Sequence, residues 1–250
     1  MKRIIALLLV LVLSLSMVGC GKTMCSVEGC ENEAVEDETF EEDFCSKHLA
    51  NEKAFVASKA AYDNIDIAYE ITEQFGSDIY EAWRLGIQDD DEILKEGVAH
   101  LATELSLSEE ELKEGVVYAI AGMTGEDYAG MSDEDKATFT ENTAAVFKLV
   151  EDDLFSFCVM VVTGAYNANG KVEEAQTALD DAKSQMKELS DKYSDYEHYP
   201  NLKGYYTTTS SFFDFCQNPT GSFEQIKDTV NDYKNDARDY ISDLDYIFEE

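Results

Sequence analysis

From Asn51 onward apolar residues recur every three or four positions, which is the repeat of a helix with one buried face. Residues 52–76 carry Phe55, Ala61, Ile65, Ala68, Ile71 and Phe75 in this rhythm. A shorter helix is predicted from Ser77, with Ile79, Tyr80, Trp83 and Ile87 on its apolar side. Asp89-Asp90-Asp91-Glu92 heads the next one, in which Leu94, Val98, Leu101 and Leu105 step by 4, 3 and 4. Acids at a helix start complement its positive end. Ser108-x-x-Glu111 is a capping box ahead of Leu112, Val116 and Ile120. Gly122, Gly125 and Gly130 interrupt the pattern, and Ser132 opens a helix predicted to run to about Thr163. Its second half, Leu154 to Val162, is apolar on nearly all faces. That run is too short to cross a bilayer and reads as the central buried helix.

The last third is more regular. Val172, Ala175, Leu179, Ala182, Met186, Leu189 and Tyr193 alternate by 3 and 4, and so do Phe223, Ile226, Val230, Tyr233, Ala237, Tyr240, Leu244 and Ile247. Between these heptad seams lies a shorter helix, about 201–216, with Leu202, Tyr206, Thr209, Phe213 and Cys216 on one face. Asn218-Pro219-Thr220-Gly221 ends it and Ser222-x-x-Gln225 caps the next. Two long seams and a shorter partner joined by short loops predict an antiparallel three-helix bundle over 170–250, packed within one chain in preference to a coiled-coil dimer. The expected fold class is therefore all-α: a helical bundle body behind a small N-terminal element.

That element begins differently. Lys2-Arg3 precedes an apolar run from Ile4 to Val18, then Gly19 and Cys20, the order of a secretory signal. Met17-Val18-Gly19-Cys20 resembles the lipobox of bacterial lipoproteins, although Met17 stands where Leu is usual. The resemblance implies that Cys20 is acylated with diacylglyceryl and becomes the N-terminus. Two acyl chains hold a protein on a membrane stably. The expected organisation is residues 1–19 as signal peptide, 20–49 as anchor and metal-binding element, 50–165 as a helical domain and 166–250 as the three-helix bundle.

Cys25-x4-Cys30 and Cys45-x2-His48 form two ligand pairs separated by a 14-residue loop. Structural zinc takes four thiolate or imidazole ligands in a tetrahedron, and two short turns deliver such a set. The segment resembles small Cys₃His zinc elements of ribbon or treble-clef type, with Gly29-Cys30 as the knuckle and Phe44 as the aromatic before the second pair. The likeness covers residues 24–49. It implies a closed, structural zinc site at Cys25, Cys30, Cys45 and His48. The competing reading is one disulfide, a free thiol and a bystander histidine. Eight carboxylates lie between Glu31 and Asp43 without EF-hand spacing, and read as a solvated loop. Only about 17 Å of extended chain separates Cys20 from Cys25, which puts the element beside the headgroups.

Charge narrows the partners. The formal charge is −34, and −36 once Lys2 and Arg3 are removed. Such a surface repels phosphate backbones and anionic headgroups, so nucleic acid is disfavoured and a soluble monomeric body is expected. With 44% hydrophobic and 11% aromatic residues over its 250 positions the chain is globular in composition, and the mature part would be 231 residues long. Cys158 and Cys216 sit in apolar contexts and read as buried small hydrophobes, with a disulfide between them left open.

No nucleophile, phosphate-loop or dinucleotide motif occurs. His100 and His198 belong to no recognisable constellation, and 53 acids make chance carboxylate pairs uninformative. Asn167-Ala168-Asn169-Gly170 fails as a calcium loop, because Ala165 and Gln176 fall where carboxylates are needed. Tyr62, Tyr69, Tyr80, Trp83 and Tyr118 line either a cleft or a packed core. The chain resembles helical cell-surface lipoproteins of Gram-positive bacteria, a likeness that confers no activity on the body. Three functions remain: an extracytoplasmic binding or scaffolding module, an enzyme with a site between the helical units, or an exchangeable-zinc protein.

Overall fold

A computed structural model describes residues 23–248. The export segment and Cys20 lie outside them. The chain separates into two compact units, Met1–Val56 and Ala57–Glu250. Ten α-helices are described: α1 Ser46–Gln88, α2 Asp90–Glu96, α3 Val98–Leu101, α4 Glu109–Thr124, α5 Asp133–Glu141, α6 Thr143–Leu149, α7 Leu154–Ala168, α8 Lys171–Lys192, α9 Tyr199–Gln217 and α10 Phe223–Phe248. Among the described residues there is no strand, only an isolated bridge between Met24 and Glu33. None of these helices is long and apolar enough to cross a membrane.

The all-α expectation holds, but several boundaries move. The helix predicted to stop at residue 76 continues to Gln88 as part of α1. Gly76 is a packing residue there: a Cβ on it would lie 2.5 Å from the Phe212 ring. The helix expected to carry Leu94 through Leu105 breaks at Gly97, whose φ of +63° suits a residue without a side chain. The helix expected from Ser132 to Thr163 is three pieces. Asn142 stops the first by accepting, through its side chain, a hydrogen bond from the Ala145 N–H at 3.1 Å, so it caps α6 instead of continuing α5. A 3₁₀ turn at Glu151–Asp153 then precedes α7.

The capping box forms as written. The Glu111 N–H donates to the Ser108 hydroxyl at 3.3 Å and the Ser108 N–H to the Glu111 carboxylate at 2.8 Å. Burial opposes ionisation of Glu111. The Ser108 and Asn169 hydrogen bonds and the Lys171 charge outweigh it and bring its pKa down to about 2.

The seams of α8 and α10 bury Ala175, Leu179, Ala182, Met186 and Leu189 on one helix and Ile226, Val230, Ala237 and Leu244 on the other. These helices do not form a separate domain. Ala68 of α1 shares a cluster with Ala175, Ala178, Leu179 and Phe213, and the Tyr205 hydroxyl donates to Asp66 at 3.1 Å. Lys234 donates to the Ser77 hydroxyl at 2.7 Å. α1 thus acts as a fourth member, and the division expected at 165/166 gives way to one compact unit. The physical reason is length: an unbroken α1 has enough apolar surface to serve both groups of helices.

α4 and α7 pack backbone to backbone. A Cβ on Gly115 would lie 2.2 Å from the Val161 carbonyl oxygen, and one on Gly164 would lie 2.7 Å from the Gly115 carbonyl oxygen. The two glycines let the backbones touch, with dispersion contacts replacing side-chain packing.

Candidate metal centre

The first ligand pair sits on a tight turn. The Cys25 N–H donates to the Asn32 carbonyl and the Cys30 N–H to the Val27 carbonyl, both at 3.0 Å. Gly29 takes φ +78° inside that turn, with nothing near the place of its missing side chain. The second pair opens α1. The Leu49 N–H donates to the Cys45 carbonyl at 2.9 Å, so Cys45 occupies the N-cap position and His48 follows one turn later on the same side. Backbone bonds from Ser26 N–H to Asp43 and from Val35 N–H to Phe44, at 2.7 and 2.8 Å, bring the two pairs together. Phe44 is buried and meets Phe40 edge to face, with ring centroids 5.9 Å apart. Asp37 pairs with Lys53, and the hydrogen bond from that ammonium holds its carboxyl below the usual range.

Cys25, Cys30, Cys45 and His48 converge, their ligand atoms all within 4.8 Å of one another. Cys25 Sγ lies 3.1 Å from His48 Nδ1, Cys45 Sγ 3.5 Å from the same nitrogen, and Cys30 Sγ 3.8 Å from Cys45 Sγ. A tetrahedron with zinc–sulfur bonds of about 2.3 Å and a zinc–nitrogen bond of about 2.0 Å has edges of roughly 3.8 and 3.5 Å. Two of the three distances match those edges, and the third is tighter. A disulfide requires sulfurs about 2.05 Å apart, and the three thiols are unbonded. The group could therefore hold a metal ion.

Electrostatics divides the thiols. The backbone N–H groups of His48 and Lys47 point at Cys45 and lower its pKa, against partial desolvation. Cys30 also receives a backbone N–H, that of Asn32, but desolvation and the neighbouring Cys25 and Cys45 thiols raise it on balance. The Asn32 side chain donates to Cys30 Sγ at 3.5 Å. Asn32 is a supporting residue that the ligand spacing alone did not single out. Its position two residues after a knuckle cysteine is the signal that was there.

The other candidates scatter. His100 on α3 lies 3.6 Å from Asp89, and its Nε2 is buried without a hydrogen-bond partner. His198 holds the position just before α9 without a capping side-chain hydrogen bond and meets Tyr196 edge to face. Tyr62 and Tyr69 are buried near Tyr205, while Tyr80 stacks on Phe223. Cys158 and Cys216 are buried free thiols, with burial pushing Cys158 up to about 12 and Cys216 in the same direction. Trp83 and Tyr118 of the aromatic set line open space. With Val159 and Met160 they wall a hollow of about 340 Å³ in the larger unit.

One polar centre in the body escaped the sequence reading. Asp78 is buried and accepts from the Ser106 N–H at 3.0 Å, the Tyr166 hydroxyl at 2.9 Å, the Gln74 amide at 3.4 Å and the Ser106 hydroxyl. Tyr166 is itself buried, stacks on Phe75 at 4.2 Å and has its pKa raised, by burial first and by Asp78 second. A single carboxyl thus ties α1, the loop before α4, and α7 together. No protein-family model, curated protein or solved structure matches the chain.

Proposed function

We propose that this protein is a lipid-anchored, extracytoplasmic binding or scaffolding module, held through acylated Cys20, whose N-terminal element is built on a structural zinc ion. The observation that carries the reading is the donor set. Three thiols and one imidazole close on a single point with no carboxylate among them, which suits zinc and leaves no open coordination position. A segment this short has few buried side chains, so metal binding and folding are one event. Its closed ligand set supports a structural ion over an exchangeable one.

The apolar hollow at Trp83 suits binding. Neither His100 nor His198 lines the hollow at Trp83, and no acid lines it. The expected partner of the helical body is a protein or envelope component at the membrane surface, and the charge of −34 disfavours nucleic acid.

Native mass spectrometry of detergent-extracted protein from a bacterial membrane tests the reading. The expected mass is that of residues 20–250 plus one diacylglyceryl group and one zinc ion, with a single copy per particle. An uncleaved, metal-free chain would overturn it.

A further inference from the structure

The hollow in the larger unit has a chemistry of its own. It lies between α4 and α7, with Trp83 of α1, Gln217 at the end of α9 and Pro219 just beyond completing the wall. Its volume of about 340 Å³ is a little over twice that of an engineered apolar cavity, ~150 Å³, that takes up benzene. Space of that size fits two fused rings. The wall includes two aromatic residues, Trp83 and Tyr118, and two glycines, of which Gly122 leaves open space while the Cβ position of Gly164 is filled by Gly115 and Tyr118 of α4. A Cβ on Gly122 would meet nothing within 4 Å, so this part of α4 faces open space. Flat walls of backbone and ring match a flat guest better than a branched one.

Charge selects further. The wall contains no charged side chain; its polar residues are Ser156, Thr163 and Gln217, and Trp83 and Tyr118 each carry one polar group. An anion entering would lose its hydration with no cation to replace it, inside a chain carrying −34. A cation would find no carboxylate in the wall. An uncharged guest with one or two polar atoms satisfies both conditions and can exchange hydrogen bonds with the hydroxyls or the amide.

We propose that this hollow is a binding site for an uncharged, flat, two-ring aromatic compound bearing a hydroxyl or similar polar group. The site goes beyond the anchored-module reading and is independent of it, because every wall residue belongs to the unit Ala57–Glu250. A chain that lacks the lipid would bind equally well.

Trp83 is the only tryptophan, so its indole N–H gives one resolved resonance in a ¹⁵N-correlation spectrum. The zinc-loaded chain from Cys20 to Glu250 is titrated with 2-naphthalenemethanol, with 2-naphthoate and with 1-decanol. The proposal expects a saturable shift of that resonance with the alcohol of naphthalene, and binding at least tenfold weaker for the carboxylate and for the alkyl chain. Gly122→Leu should fill the space, weaken binding at least tenfold and leave the melting temperature unchanged or higher, since leucine favours a helix over glycine. An indole resonance that does not move, equal binding of 2-naphthoate or decanol, or a folded Gly122→Leu that still binds would each overturn the site. Should Gly122→Leu not fold, the comparison of the three probes on the parent chain decides alone.

Discussion

The two compact units of this protein reach order by different means. In the unit Met1–Val56 the buried apolar residues described are Cys25, Phe44, Cys45 and Ala54, two of which are metal-ligand candidates. In the unit Ala57–Glu250 whole helices such as α7 are buried on most sides, with Phe157, Cys158, Val161, Val162, Ala165 and Tyr166 all inside. A small segment cannot bury enough surface to offset its conformational entropy, and under the proposed reading a coordination sphere takes the place of a core. The larger unit needs no such device. The lesson is that the same chain can be sensitive to chelation at one end and indifferent to it at the other.

The largest effect comes from breaking the smaller unit. Removing the metal with a chelator, or replacing Cys45→Ser, should abolish its order, because apparent binding energies of structural zinc are about 10 kcal/mol or more. Glutamate-specific proteolysis should then cut between Glu31 and Glu42, while Trp83 emission and the helical circular dichroism stay nearly constant. A broad loss of helix signal would show that the two units are not independent.

Within the larger unit, Asp78→Ala should do the most damage. It strands the Ser106 N–H, the Ser106 hydroxyl and the Tyr166 hydroxyl, at about 1–3 kcal/mol for each unsatisfied buried group. Urea unfolding should register a loss of roughly 4 kcal/mol. Gly115→Ala comes next. Alanine gains about 1 kcal/mol in a helix, but a methyl group 2.2 Å from a carbonyl oxygen forces α4 and α7 apart, for a net loss of about 2 kcal/mol by urea unfolding. Tyr166→Phe removes only one of the Asp78 bonds and should cost about 1 kcal/mol.

The smallest effect sharpens the contrast by pH. Glu111 has its pKa lowered from the usual 4.5 to about 2 in the folded protein. A depressed carboxylate stabilises the fold above its unfolded pKa, and that contribution is lost as pH falls from about 4.5 toward 2. Glu111→Gln should therefore be less stable than the parent by about 1 kcal/mol at pH 7. The gap measured by thermal unfolding should close progressively as pH drops through that window.

The convergence of Cys25, Cys30, Cys45 and His48 was legible because spacing in the sequence is spacing in space for residues three to five apart. The Cys25 and Cys45 pairs needed only a turn and a helix start. The α8 and α10 seams were legible for a similar reason, since a heptad repeat names its own buried face. Asp78 was not, because its partners Ser106 and Tyr166 are distant in sequence and a lone aspartate among 53 acids carries no mark. Gly76 and Gly115 were misleading or silent, because a glycine that breaks a helix and one that admits a neighbour look alike until the neighbour is known. The break at Asn142 was equally hidden, since a capping side chain competes with helix continuation only locally and the apolar repeat runs past it. The domain division failed at 165/166 because periodicity finds helices and does not say how many partners a long one serves.

The contact between Gly115 and Gly164 has a mechanical consequence. With no side chains interposed there is nothing to act as a bearing, so α4 and α7 behave as one beam. Both carry walls of the hollow, and its bore is therefore a backbone dimension. Exchanges at Met160 or Val159 would alter depth and leave the bore as it is. Any widening to admit a larger guest has to come from the opposite lip, where Gln217 ends α9 and Pro219 follows.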